Sequence, residues 1–134
     1  MKALTLYQPW ASFVAHGLKQ WETRSWQTEY RGPIAIHSAR RPVDEAFLSS
    51  LLGVIPTELL PTYFPLGCVL AEVELMEINP TEFQINFVSE RERLLGDWGP
   101  GRYAWRLKLQ YAVNVPWHAR GGRGLWVLRQ RARL

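Results

Sequence analysis

Gly17-Leu18-Lys19-Gln20-Trp21-Glu22-Thr23-Arg24 decides the reading of this chain. It follows Gln8-Pro9-Trp10-Ala11-Ser12-Phe13-Val14, where Pro9 suits a first helical turn and Trp10, Phe13 and Val14 recur at i, i+3 and i+4. Gly17 then fits a helix end, and Trp21 to Trp26 reads as a strand. Lys19, Glu22 and Arg24 therefore crowd a helix-to-strand junction in the spacing GxKxxExR. Charges of both signs are costly to place against a core, so such a cluster should either serve a cleft or tie the helix end to the sheet through salt bridges. In an extended strand Glu22 and Arg24 point to one face, and a bend after Gly17 brings the Lys19 amine to the same side. A lysine and an arginine beside a glutamate can hold a phosphate while the carboxylate orients a base or a water.

Outward from this junction the chain is strand-rich. Strands are expected at Ala3 to Tyr7, Gly32 to Ser38, Gly67 to Ile78, Arg102 to Val113 and Gly124 to Gln130. Val69, Ala71, Val73 and Leu75 alternate with Glu72, Glu74 and Met76 in the longest of them. A helix is expected over Val43 to Leu52. Three prolines make residues 53–65 loop, with one turn of helix at Thr57 to Leu60. Phe83 to Leu95 is ambiguous, Ser89 offering a cap. The whole predicts an α+β fold: a small mixed β-barrel of five to six main strands with two or three short helices, closed or nearly so.

Composition narrows the function classes. With 134 residues, 47% hydrophobic and 21% charged, the chain is expected to form one domain spanning 1–134, with 129–134 as a disordered basic tail. No run approaches a membrane-spanning length, and no signal peptide is visible, so a cytoplasmic location is expected. Cys68 stands alone, which excludes an intrachain disulfide. His16, His37 and His118 lack ligand spacing, and there is no phosphate-binding glycine loop, so neither metal nor cofactor is expected.

Charge is uneven along the chain. All twelve acidic residues fall at or before Asp97, leaving that part at −4, whereas everything from Trp98 onward carries eight basic residues and no acid. Such asymmetry points to a polyanionic partner. Seven tryptophans add to it. Trp10, Trp105 and Trp126 sit in apolar segments and read as core; Trp26, Trp98 and Trp117 read as stacking platforms, each worth about 1–3 kcal/mol per base. The loop Gly96 to Tyr103, with Trp98 and Arg102, suits a cleft rim.

Several blocks together resemble the ASCH domain family, a small RNA-linked group with a PUA-like fold. They are GxKxxExR, Gln8 to Ser12, Glu22 to Trp26, Tyr30-Arg31-Gly32-Pro33, Ile36-His37, Gly101 to Trp105 and Arg120-Gly121 through Trp126. The resemblance implies a PUA-like barrel whose cleft is lined by Lys19, Glu22 and Arg24. It implies RNA or nucleotide binding; together with the charge and aromatic patterns above, the expected contact residues are Lys19, Arg24, Trp26, Arg31, Trp98, Arg102, Arg120 and Arg123.

Two rivals stay open. One is a hydrolase acting on RNA or on acylated nucleosides; the amidohydrolase members of the family are associated with a lysine, a threonine three residues on, and a later glutamate. Lys19 matches, Glu22 stands where the threonine would be, and Glu72 or Glu74 would supply the later carboxylate. The catalytic set would then be Lys19, Glu22 and Glu72. The other rival is a non-catalytic protein-interaction module. If the cleft is the site, Lys19→Ala is expected to empty it while leaving the fold intact.

Overall fold

The computed structural model describes residues 1–129. Six strands form one mixed sheet: β1 (Lys2–Leu6), β2 (Trp21–Arg24), β3 (Gly32–Ser38), β4 (Cys68–Pro80), β5 (Tyr103–His118) and β6 (Leu125–Val127). Their order is β2-β5-β4-β3-β1-β6. Only β1 and β3 run parallel; the other neighbours are antiparallel. Four short helices accompany them: α1 (Trp10–Ala15), α2 (Glu45–Ser50), α3 (Thr81–Gln84) and α4 (Glu90–Leu94). The fold is α+β and PUA-like, a sheet curled into a half-barrel. The expected closure is not made by a ladder: β2 and β6 are the two ends of the strand order.

Alternation decides the sheet's inner face. Leu4, Leu6, Ile34, Ile36, Val73 and Trp105 are buried together there, each large side chain contributing about 1.5–3 kcal/mol by leaving water. Ala3, Ala35 and Val69 face the other way, under Trp117 and Trp126. Helix α1 lies on the inner face, against β3, β4 and β5. Its free N-terminal amides find a side chain: Gln8 Oε1 accepts from Ser12 N at 3.0 Å, while Gln8 Nε2 donates to Ser12 Oγ and Pro65 O. Asp44 caps α2 by accepting from the amides of Ala46 and Phe47. Ser89 caps α4, accepting from Glu92 N at 3.2 Å.

Strand β5 runs five residues past the expected end. Asn114 and Pro116 are poor strand residues, but pairing with β4 resumes after a large irregularity, with Val69 opposite Trp117 and Cys68 opposite His118. The helix expected over Val43 to Leu52 is shorter, and β6 ends at Val127. Gln130, the expected end of the last strand, and residues 130–134 of the basic tail expected over 129–134 lie outside the described residues.

Candidate functional site

Gly17 turns the chain out of α1 with φ +75°, a conformation that side-chain-bearing residues rarely adopt. The amides of Leu18 and Lys19 both donate to Phe13 O, so the turn folds back under the helix. Lys19 thereby enters the protein instead of pointing to water, and is 2% exposed. Its ammonium donates to Trp21 O at 2.5 Å and to Leu95 O at 2.8 Å. Glu22 Oε1 lies 3.6 Å from it. The other Glu22 oxygen takes Arg24 Nη1 at 3.4 Å. Three charges alternate in a short row.

Aromatic rings bound this row at both ends. Lys19 Nζ sits 5.4 Å from the centre of the Trp10 ring, and the Arg24 guanidinium 5.6 Å from that of Trp26. Glu22 and Arg24 lie opposite Trp105 and Tyr103 of β5, on the sheet's inner face. Trp26 meets Trp105 edge to face at 4.8 Å and accepts its indole N–H on the backbone carbonyl. Trp26 follows the edge strand β2, and a Cβ placed on Gly124, just before the other edge strand, β6, would stand 3.9 Å from its ring tip. The charged row therefore opens toward the seam of the half-barrel. Chemically it offers a half-buried guanidinium, a carboxylate and two flanking indoles. Such a set suits an anionic group next to a flat ring.

The salt-bridge reading of the junction is present in the structure. Lys19 with its two carbonyl partners ties the helix end to β2 and to the end of α4, while Arg24 and Trp26 stay half-buried. Other expected site residues are placed differently. Trp98 is 8% exposed, packs edge to face on Trp21, and donates its indole N–H to Glu92 O at 2.8 Å. It presents no stacking face, because Ile85 and Val88 cover the cluster around it. Arg102 is a strut: it donates to Thr23 O and Asp97 O and lies 3.5 Å from the Asp97 carboxylate. Arg31 donates to Thr28 O and Tyr30 O, each at 2.8 Å, closing a turn.

Glu72 is not beside Lys19. It pairs with Ala35, and Glu74 with Pro33, so both point to the face opposite Ile34 and Ile36. There Glu72 accepts from the Tyr111 hydroxyl at 3.4 Å. The acid–base pair of Lys19 with Glu72 is therefore not assembled. Arg120 and Arg123 are exposed in the turn between β5 and β6. Trp10 and Trp126, expected in the core, are half-buried, whereas Trp105 is fully buried.

Sequence reasoning missed Glu92. In the charged run Glu90 to Arg93 it looks like a solvated residue, yet it is 7% exposed. Its Oε1 accepts from Gln20 N at 2.6 Å, and its Oε2 has no partner among the described residues. Burial pushes its carboxyl above the usual value, opposed by the Gln20 amide and the Lys19 charge. The available signal was Ser89 three residues ahead, the spacing of a capping box. Here the glutamate turns away from its own helix start to hold the start of β2. His37 was also passed over as a binding group: it is buried, with Nε2 donating to Ala119 O at 2.8 Å. No helix among the described residues is long and apolar enough to cross a membrane. Among the same residues no cluster of His, Cys, Asp or Glu is placed to hold a metal ion.

The PUA-like half-barrel defines the class, and comparison with known proteins agrees. The ASCH domain family matches residues 4–115, and the chain belongs to it. It is similar to activating signal cointegrator 1 of Mus musculus, 31% identical over 90 residues, and to that of Homo sapiens, 32% identical over 92. Each match takes in 63% of this chain but only 16% of the relative, so this chain spans a small part of the length of the proteins it matches.

Proposed function

We propose that the domain binds RNA or a nucleotide at the seam, with a base on Trp26 and a phosphate on Arg24. The observation that supports this best is the row Trp10, Lys19, Glu22, Arg24 and Trp26, which puts a half-buried guanidinium over an indole at the opening. Lys19 and Glu22 hold Arg24 in place from behind. Because the guanidinium is already oriented, less side-chain freedom is lost on binding. The excess positive charge of the C-terminal part adds attraction that weakens with salt. Hydrolysis is no part of the proposal, since Lys19 is spent on two carbonyls and Glu72 faces the other way.

Titration of labelled single-stranded RNA and of a nucleoside monophosphate at two salt concentrations tests it. Binding of both should weaken with salt, and Arg24→Ala should reduce both affinities by about tenfold, the loss of one charge-assisted pair. Indifference of the wild-type protein to both ligands would overturn the proposal and favour a protein-interaction module.

A further inference from the structure

The turn between β5 and β6 reads Ala119-Arg120-Gly121-Gly122-Arg123-Gly124. By composition it should be loose, yet it is held along its length. Ala119 N donates to Gly67 O at 3.0 Å, and Ala119 O accepts from His37 Nε2. Since a carbonyl can only accept, Nε2 carries the proton, and Nδ1 accepts from the Thr5 hydroxyl at 3.0 Å. Thr5 Oγ1 in turn accepts from the Trp126 indole N–H at 3.0 Å. Every polar group of this buried chain has its partner.

The glycines let the turn lie flat on that support. Gly121 has φ +82°, and a Cβ there would stand 2.8 Å from His37 Cε1. A Cβ on Gly122 would stand 2.9 Å from Trp126 Cβ. Neither position tolerates a side chain without moving the turn. Arg120 and Arg123 are thus carried on a fixed backbone with their side chains exposed. Arg40, packed over Gly67 and close enough to His37 for its charge to be felt there, adds a third cation on this side. Gly124, next to Arg123, faces the tip of Trp26: a Cβ there would stand 3.9 Å from Trp26 Cη2.

We propose that this turn is a preorganised phosphodiester subsite, which makes the partner a single-stranded oligonucleotide that extends past the seam. The inference rests on the seam reading above: a base on Trp26 leaves its neighbouring phosphate over Gly124, within reach of Arg123 and then Arg120. Arginine pairs with phosphate bidentately, and a turn that is already ordered loses little freedom on binding. A free nucleotide would occupy Arg24 and Trp26 and never reach the turn.

The test compares a labelled RNA octamer with a nucleoside monophosphate, on the wild type and on the double variant Arg120→Ala/Arg123→Ala. The octamer should bind the double variant about tenfold more weakly, with the salt slope lowered by about 1.4 for two phosphate contacts on a single strand. The monophosphate should bind both proteins alike. Gly121→Ala, which shifts the turn without removing charge, should weaken octamer binding alone; its thermal melt shows whether the domain remains folded. An unchanged octamer affinity and slope in the double variant, with monophosphate binding intact, would overturn the turn subsite and leave the seam site standing. Equal loss for both ligands would also overturn it. Failure of the wild type to bind either ligand would overturn the seam reading and this inference together.

Discussion

Replacing Lys19 by Met should destabilise the domain heavily, against the simple view of Lys19 as a cleft-facing contact. Methionine keeps the length and volume of the lysine stem, so packing against Trp10 is nearly conserved and the change is confined to the ammonium. Lost with it are two hydrogen bonds from a charged donor, to Trp21 O at 2.5 Å and Leu95 O at 2.8 Å. Each such bond contributes about 1.5–3 kcal/mol. Glu22 keeps Arg24 as a partner, so no separate charge penalty is added for it. Removing one member of a buried pair typically costs about 3–5 kcal/mol, and the two routes agree. For a domain of this size about 1 kcal/mol moves the melting temperature by roughly 3–5 °C, so the melt should fall by about 10–25 °C.

Urea unfolding followed by far-UV circular dichroism measures the difference directly, provided the m-value is unchanged. Lys2→Met is the control: Lys2 is exposed at the start of β1, and its loss should stay within about 0.5 kcal/mol. A Lys19→Met protein within about 1 kcal/mol of wild type would refute the reasoning, because the buried carbonyl bonds would then contribute almost nothing.

Two further predictions concern stability. Burial holds the His37 pKa below its usual 6.5, so just below that pH the unfolded chain binds the extra proton and stability falls as pH drops. Burial raises Glu92 above its usual 4.5; there the folded chain holds the extra proton, and stability falls as pH rises from that value. The two slopes have opposite signs. Urea midpoints across pH 4 to 8 should separate them: His37→Gln removes the loss on the acid side and Glu92→Gln the loss on the alkaline side. Unchanged pH profiles in both variants would contradict the buried placements. Trp98→Phe removes the indole donor to Glu92 O, which keeps the Leu95 amide at 3.2 Å, and should cost about 0.5–1.5 kcal/mol while RNA affinity stays at wild type. Lost affinity at unchanged stability would return Trp98 to the rim.

Local pattern was enough for most of the elements, though not for the reach of β5 or for α3 and α4. Alternation along Val69 to Leu75 is a backbone property of period two, and the i, i+3, i+4 spacing of Trp10, Phe13 and Val14 is likewise local, so strand and helix positions followed from the chain alone. So did the meeting of Lys19, Glu22 and Arg24, because a tight turn at Gly17 and an extended strand leave few other arrangements. Placement against distant chain was not legible. Glu72 looks outward because β4 pairs with β3 in the register that sets it opposite Ala35; a one-residue slip would have turned it inward. Lys19 is buried because Leu95, seventy-six residues away, brings a carbonyl to it. Trp98 is buried because the loop carrying it folds onto Trp21. The packing of Gly121 and Gly122 was not legible either, because His37 and Trp126 occupy the space their side chains would need. Residue type and local spacing determine which groups could meet; only the packed sheet, where two atoms cannot share one place, decides which of them face water.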